Sequence, residues 1–173
     1  MIRDFGPTAM LISIVLTNWH SCRTYWITQE NNQAYLYVRE VQFRSDAQKK
    51  DVATKVGAVI MNAGQRPARV TRQFYTFVSL PSSSPPPSVA ESSTLPNDDV
   101  IDRTNPLVFE LSIPSQLVAP GVQTVSDLCQ DLNSKGWRLY FVGLLKYSDG
   151  MDEYPLAICK WLDSAGIWRT CQK

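Results

Sequence analysis

The chain has 173 residues, 44% hydrophobic and 10% aromatic, which is a one-domain length with enough apolar content for a real core. Its 17 basic residues meet 16 acidic ones, and the densest basic spot, Lys49-Lys50, is flanked by Asp46 and Asp51. No basic face or stripe is available, so nucleic acid and acidic membrane surfaces are excluded as expected partners.

From Phe5 to Cys22 there is no Asp, Glu, Lys or Arg, and residues 9–16 are apolar apart from Ser13. A spanning helix needs about 20 mostly apolar residues, and Gly6, Pro7, Asn18 and His20 interrupt this run. Against a cleaved signal peptide, Arg3 is balanced by Asp4 and no small-residue cleavage site follows. A buried first strand or helix is the plain alternative. Trp19, Tyr25 and Trp26 suit an interfacial aromatic belt. The reading adopted is an N-terminal apolar helix within residues 1–30 serving as a membrane anchor, followed by one domain over 31–173. Arg3 and Arg23 lie on opposite sides of the run and leave orientation open.

Strand-like runs come next. Residues 35–43 are rich in β-branched and aromatic side chains, and residues 52–61 place Val52, Val56, Ala58 and Ile60 on one parity. In the third run Val70, Phe74 and Val78 share a parity. The stretch 79–97, SLPSSSPPPSVAESSTLPN, is low in complexity, with 12 of its 19 residues Ser or Pro. Such a composition buries too little apolar surface to offset ordering, so it is expected as a disordered, exposed loop inside the domain.

Leu107, Phe109, Leu111 and Ile113 alternate with Val108, Glu110 and Ser112, the pattern of a half-buried strand. Pro120-Gly121 marks a turn. Residues 126–135 read as a short helix with Leu128 and Leu132 four apart and Gly136 at the C-terminal cap. Residues 137–147 are apolar on both parities, as a strand covered on both faces would be. With two C-terminal runs the expectation is a mainly β fold. It is a two-sheet, immunoglobulin-like sandwich of about seven strands with one short helix, lacking the Cys–Trp–Cys spacing of a true immunoglobulin domain.

The C-terminal run AICKWLDSAGIWRTCQK reads as a hairpin. A three-residue loop Ser164-Ala165-Gly166 puts Gly166 at the left-handed position such loops require. Asp163 then faces Ile167, Trp161 faces Arg169, and Cys159 faces Cys171. Opposed Cβ atoms of a non-hydrogen-bonded pair come close enough for a disulfide, which would contribute about 3 kcal/mol by loop closure. Trp161 and Arg169 are expected to stack as a cation–π pair. Two free thiols in an intracellular protein are the alternative. A disulfide would instead place the domain in an oxidising compartment, with Cys22 and Cys129 reduced or buried. No CxxC pair exists and His20 is the only histidine, so a zinc site is not expected.

Several short elements occur in a recognisable order: Tyr35-Leu36-Tyr37-Val38, then Met61-Asn62-Ala63-Gly64-Gln65-Arg66-Pro67-Ala68, then Leu117-Val118-Ala119-Pro120-Gly121. Leu139-Tyr140-Phe141-Val142-Gly143 follows, leading to Tyr147-Ser148-Asp149, and Cys159 and Cys171 close the series. Together they resemble a group of small, uncharacterised, single-span proteins of Gram-negative bacteria, in which an apolar helix precedes a β-sandwich-like domain. After Asp149 the chain departs from that pattern, carrying Gly150-Met151-Asp152-Glu153-Tyr154-Pro155-Leu156. The resemblance implies topology and an inner-membrane, periplasmic location. It implies no chemistry.

Catalytic signals are weak. His20 is the sole histidine, and no glycine pair has phosphate-loop or dinucleotide spacing. Asp149, Asp152 and Glu153 form a weak calcium candidate that does not match an EF-hand; solvated turn carboxylates explain them as well. No catalytic residue and no cofactor are expected. The function expected is a membrane-tethered, non-catalytic module recognising a protein or cell-envelope component. The competing reading is a soluble, cytoplasmic ligand-binding or enzyme accessory domain.

Overall fold

The computed structural model describes residues 33–44 and 55–172, leaving the predicted N-terminal helix, His20 and Cys22 outside the described residues. Among the described residues there are nine strands and one α-helix: β1 (Leu36–Phe43), β2 (Lys55–Asn62), β3 (Ala68–Pro81), β4 (Leu95–Pro96), β5 (Val100–Ile101), β6 (Leu107–Ser112), α1 (Val125–Ser134), β7 (Trp137–Ser148), β8 (Glu153–Leu162) and β9 (Trp168–Thr170). The smaller sheet runs β1-β2-β6 and the larger β4-β3-β7-β8-β9, with β5 also paired to β3. Every pairing is antiparallel. The architecture is a mainly β, two-sheet sandwich.

Parity dictates most of the packing. Val56, Ala58 and Ile60 of β2 are buried as their spacing predicts, and β6 alternates half-buried with exposed positions along its length. In β7, Leu139, Phe141, Leu145 and Tyr147 enter the core between the sheets. Tyr140, Val142 and Leu144, on the opposite parity, are also buried. That is the two-sided strand expected. Aromatic rings bridge the sheets: Tyr75 stacks on Phe109 at 4.2 Å, and Phe43 meets Trp168 at 5.6 Å. Gly143 makes room for the first of these, because a Cβ there would lie 2.5 Å from the Tyr75 ring.

One strand departs from simple parity. A bulge between Val70 and Arg72 shifts the register of β3 against β7. Val70 therefore faces the core, whereas Phe74 and Val78 pair with Leu144 and Tyr140 on the outer face, and Tyr75 and Phe77 take the core positions. Thr71, the extra residue, sends its hydroxyl to the Glu153 carboxylate at 2.7 Å.

The Ser/Pro-rich stretch also differs from the free loop expected. Ser79–Pro81 complete β3, Glu91–Ser93 make a 3-10 turn, and Leu95–Pro96 pair with Arg72 and Gln73. Glu91 forms an ion pair with Lys146 of β7 at 2.8 Å, and Thr94 is buried. The run crosses the outer face of the larger sheet. Its prolines explain how so polar a sequence is held: they fix φ and restrict each preceding residue to extended conformations, lowering the entropy lost on ordering.

The sheets are joined at a corner built on Asn62. Its side-chain oxygen accepts from Tyr35 N–H at 3.1 Å and Gly64 N–H at 2.8 Å. Its amide donates to the carbonyls of Arg66 at 2.6 Å and Ile101 at 3.1 Å. One buried side chain so fastens the chain before β1, the turn and β5. The helix α1 opens with Thr124 and Asp127 bonding each other's backbone as a capping box, buries Leu128 and Leu132, and stops before Gly136 at φ 67°.

Candidate binding groove

The β8–β9 hairpin forms as its turn chemistry predicts. Gly166 has φ 79°, Asp163 N–H bonds the Ile167 carbonyl at 3.0 Å, and Trp161 pairs with Arg169. Cys159 and Cys171 face each other with Cα atoms 5.5 Å apart, and their sulfurs are joined. The backbone differs in one detail. Cys171 N–H donates to the Cys159 carbonyl at 3.1 Å, so the bridge spans a hydrogen-bonded pair rather than the non-hydrogen-bonded one expected.

The cation over Trp161 is not Arg169. Arg138 of β7 lies over the indole, its guanidinium carbon 4.7 Å from the ring centroid, while Arg169 Nε donates to Asp163 at 2.8 Å. Asp163 wins that competition because the turn holds its carboxylate in place: Ala165 and Ile167 N–H groups both donate to its Oδ1. The Ile167 N–H, followed by Arg169, keeps the Asp163 carboxyl below its ordinary range.

Register assembles these side chains into a site. Tyr140, Trp161 and Arg169 are direct cross-strand neighbours on β7, β8 and β9. All three line an open groove of about 570 Å³ with Arg138, Pro86 and the Thr170–Gln172 end of the chain. That volume lies within the range of small-ligand sites. Among the described residues no carboxylate lines it. The Tyr140 ring is buried beneath the groove. Arg169 is more than half exposed and donates its Nε to Asp163. Arg138, half-buried, is held over the indole, where a cation meets the negative face of the ring. Sequence reading found Trp161, Arg169 and both cysteines but missed Arg138, Tyr140 and Pro86. The signal for Tyr140 was the β7–β8 register; nothing local marked the other two.

The acidic candidates Asp149, Asp152 and Glu153 fall in the β7–β8 turn but do not converge. Asp149 Oδ1 accepts from the N–H groups of Met151 and Asp152 at 3.0 and 3.1 Å, whereas Glu153 turns to Thr71. Partial burial opposes the Asp149 charge, but the Asp152 and Met151 N–H groups and the Arg66 charge hold its carboxyl below its usual value. Among the described residues no group of three His, Cys, Asp or Glu is placed to hold a metal ion. Cys129 is buried in the core, where burial pushes its thiol up, and its Sγ donates to the Asp163 carbonyl. Among the described residues no helix is long and apolar enough to cross a membrane. No protein-family model and no curated protein matches the chain.

Proposed function

We propose that the chain is a membrane-tethered, non-catalytic module of the bacterial inner membrane, whose immunoglobulin-like sandwich stands in the periplasm and binds a protein or envelope component. The proposal extends the resemblance to small single-span proteins of Gram-negative bacteria. The observation that carries it is the groove over Tyr140 and Trp161, basic along its rim and braced on one side by the Cys159–Cys171 link. A bonded pair of sulfurs favours an oxidising compartment, and the apolar run at residues 9–16 supplies the tether. The groove offers hydrogen-bond donors and aromatic surface without a paired nucleophile and base, which is the equipment of recognition.

Two measurements test this. Membranes carrying the full chain are extracted with alkaline carbonate; retention in the pellet is expected, and release into the supernatant would overturn the tether. Protein alkylated without reductant is then analysed by mass spectrometry. Unlabelled Cys159 and Cys171 are expected, and label on both would overturn the periplasmic location.

A further inference from the structure

We infer that the groove takes an extended acidic peptide, lying along β9 with its carboxylates on Arg138 and Arg169. This names the partner class for the binding module proposed above and rests on that reading. Three observations converge on it.

The first is charge. Among the described residues the groove is lined by two guanidiniums, one of them paired with Asp163 through its Nε, and by no carboxylate. Arg138 is stacked on Trp161, so the indole face is already covered and a sugar ring has no free aromatic platform there. Arg169 is more than half exposed beside that pair, and a guanidinium's N–H fork has the geometry that matches a carboxylate.

The second is an unpaired sheet edge. The Cys171-to-Cys159 and Asp163-to-Ile167 hydrogen bonds fix which β9 residues point their backbone toward β8. Arg169, between those two pairs, belongs to that set. Trp168 and Thr170, on the other parity, point their N–H and C=O groups away from β8. Among the described residues no strand pairs with that side of β9. An added strand there would gain main-chain hydrogen bonds beside the arginines.

The third is the contrast with β8. Its residues 153–158 extend past the end of β9, and among the described residues no strand pairs with that side of them either. By the same parity, Pro155 turns its ring nitrogen to that side and offers no donor. Of these two neighbouring edges, one is interrupted by a proline, and the other, next to the basic groove, has no strand paired with it among the described residues.

The test uses fluorescence anisotropy with the full chain in detergent and a labelled ETETETE peptide. In an extended strand its glutamates share one face, about 7 Å apart. The expected result is 1:1 binding that weakens with salt and falls about tenfold in R138Q and in R169Q, the size of a lost charge-assisted contact. T170P, which removes an outward N–H while leaving the Arg169 and Cys171 pairings to β8, should weaken the peptide as well. Thermal melts confirm that each variant is folded. Equal binding of QTQTQTQ, or indifference to R138Q and R169Q, would overturn the inference. Binding of trigalacturonate without the peptide would make the partner an acidic saccharide, overturning the peptide while leaving a binding module standing. Binding of neither probe would overturn the ligand class, with the tether judged separately by carbonate extraction.

Discussion

Replacing Asn62 with alanine removes four hydrogen bonds at once. The Tyr35 and Gly64 N–H groups lose their acceptor, and the Arg66 and Ile101 carbonyls lose a donor. Asn62 is 3% exposed, so water cannot simply take its place. An orphaned buried polar group costs about 1–3 kcal/mol. With three of these four contacts only partly buried, the sum is about 2–4 kcal/mol. In a domain of this size each kcal/mol shifts the melting temperature by about 3 °C, giving a drop of roughly 6–12 °C. Thermal melts of N62A followed by circular dichroism at neutral pH measure this. N62D adds a test of sign. Its carboxylate keeps the acceptor for both N–H groups but sets negative oxygen against two carbonyls, which raises its pKa in the folded state. A raised folded pKa contributes stability below the ordinary aspartate value and loses it as pH rises through the raised one. The gap between N62D and the unsubstituted chain should therefore narrow from pH 7 to pH 4. A melting shift under about 3 °C for N62A, or a gap that widens on acidification, would refute the role assigned to this side chain.

Other outcomes follow from the same geometry. The double substitution C159A/C171A, or reduction, should cost about 3 kcal/mol by loop-closure entropy and lower the melting temperature accordingly, read by calorimetry with and without reductant. Tyr75→Phe should be neutral or stabilising by up to about 1 kcal/mol, because the Tyr75 hydroxyl is buried without a hydrogen-bond partner among the described residues; a clear loss in denaturant titration would contradict this. Gly143→Ala should destabilise by about 1–3 kcal/mol, since the new methyl meets the Tyr75 ring and the Phe74 carbonyl; an unchanged denaturation midpoint would count against the close approach. The Asp127 carboxyl is held below its ordinary value by Thr124, so its contribution is present above about pH 4 and lost as pH falls further. Asp127→Asn should flatten the acid limb of the melting profile, and an unaltered limb would discount the capping box.

Where side-chain spacing and backbone geometry obey one rule, the chain is legible. β2 and β6 follow a two-residue period, β7 is apolar on both parities as a strand covered on both faces is, and α1 follows its 3.6-residue period. The hairpin register was legible because Gly166 and the loop length leave few alternatives, and the cysteine pairing followed from it. β3 was not, because an inserted Thr71 at the bulge leaves no local mark yet sends Phe74 and Val78 to the face opposite Val70. The Ser/Pro stretch misleads for a different reason: composition reports what a segment can bury alone, not what it gains from a sheet already formed. Asn62 reads as a turn residue, but its bond to Ile101 joins positions 39 apart in sequence. In the groove, Trp161 and Arg169 do face each other, yet facing is not stacking, and Asp163 draws the arginine away.

The strand of serines and prolines crossing the larger sheet belongs to no ladder between Ser84 and Ala90, the last residue before the 3-10 turn. Chain of that kind can gain or lose a few residues without breaking a single rung, as long as its moorings at Glu91, Thr94 and Leu95 are kept. The part of this interval beyond Pro86, which lines the groove, is therefore where the molecule should accept an inserted epitope tag, while a single added residue within β3 or β7 would shift every neighbour by one place.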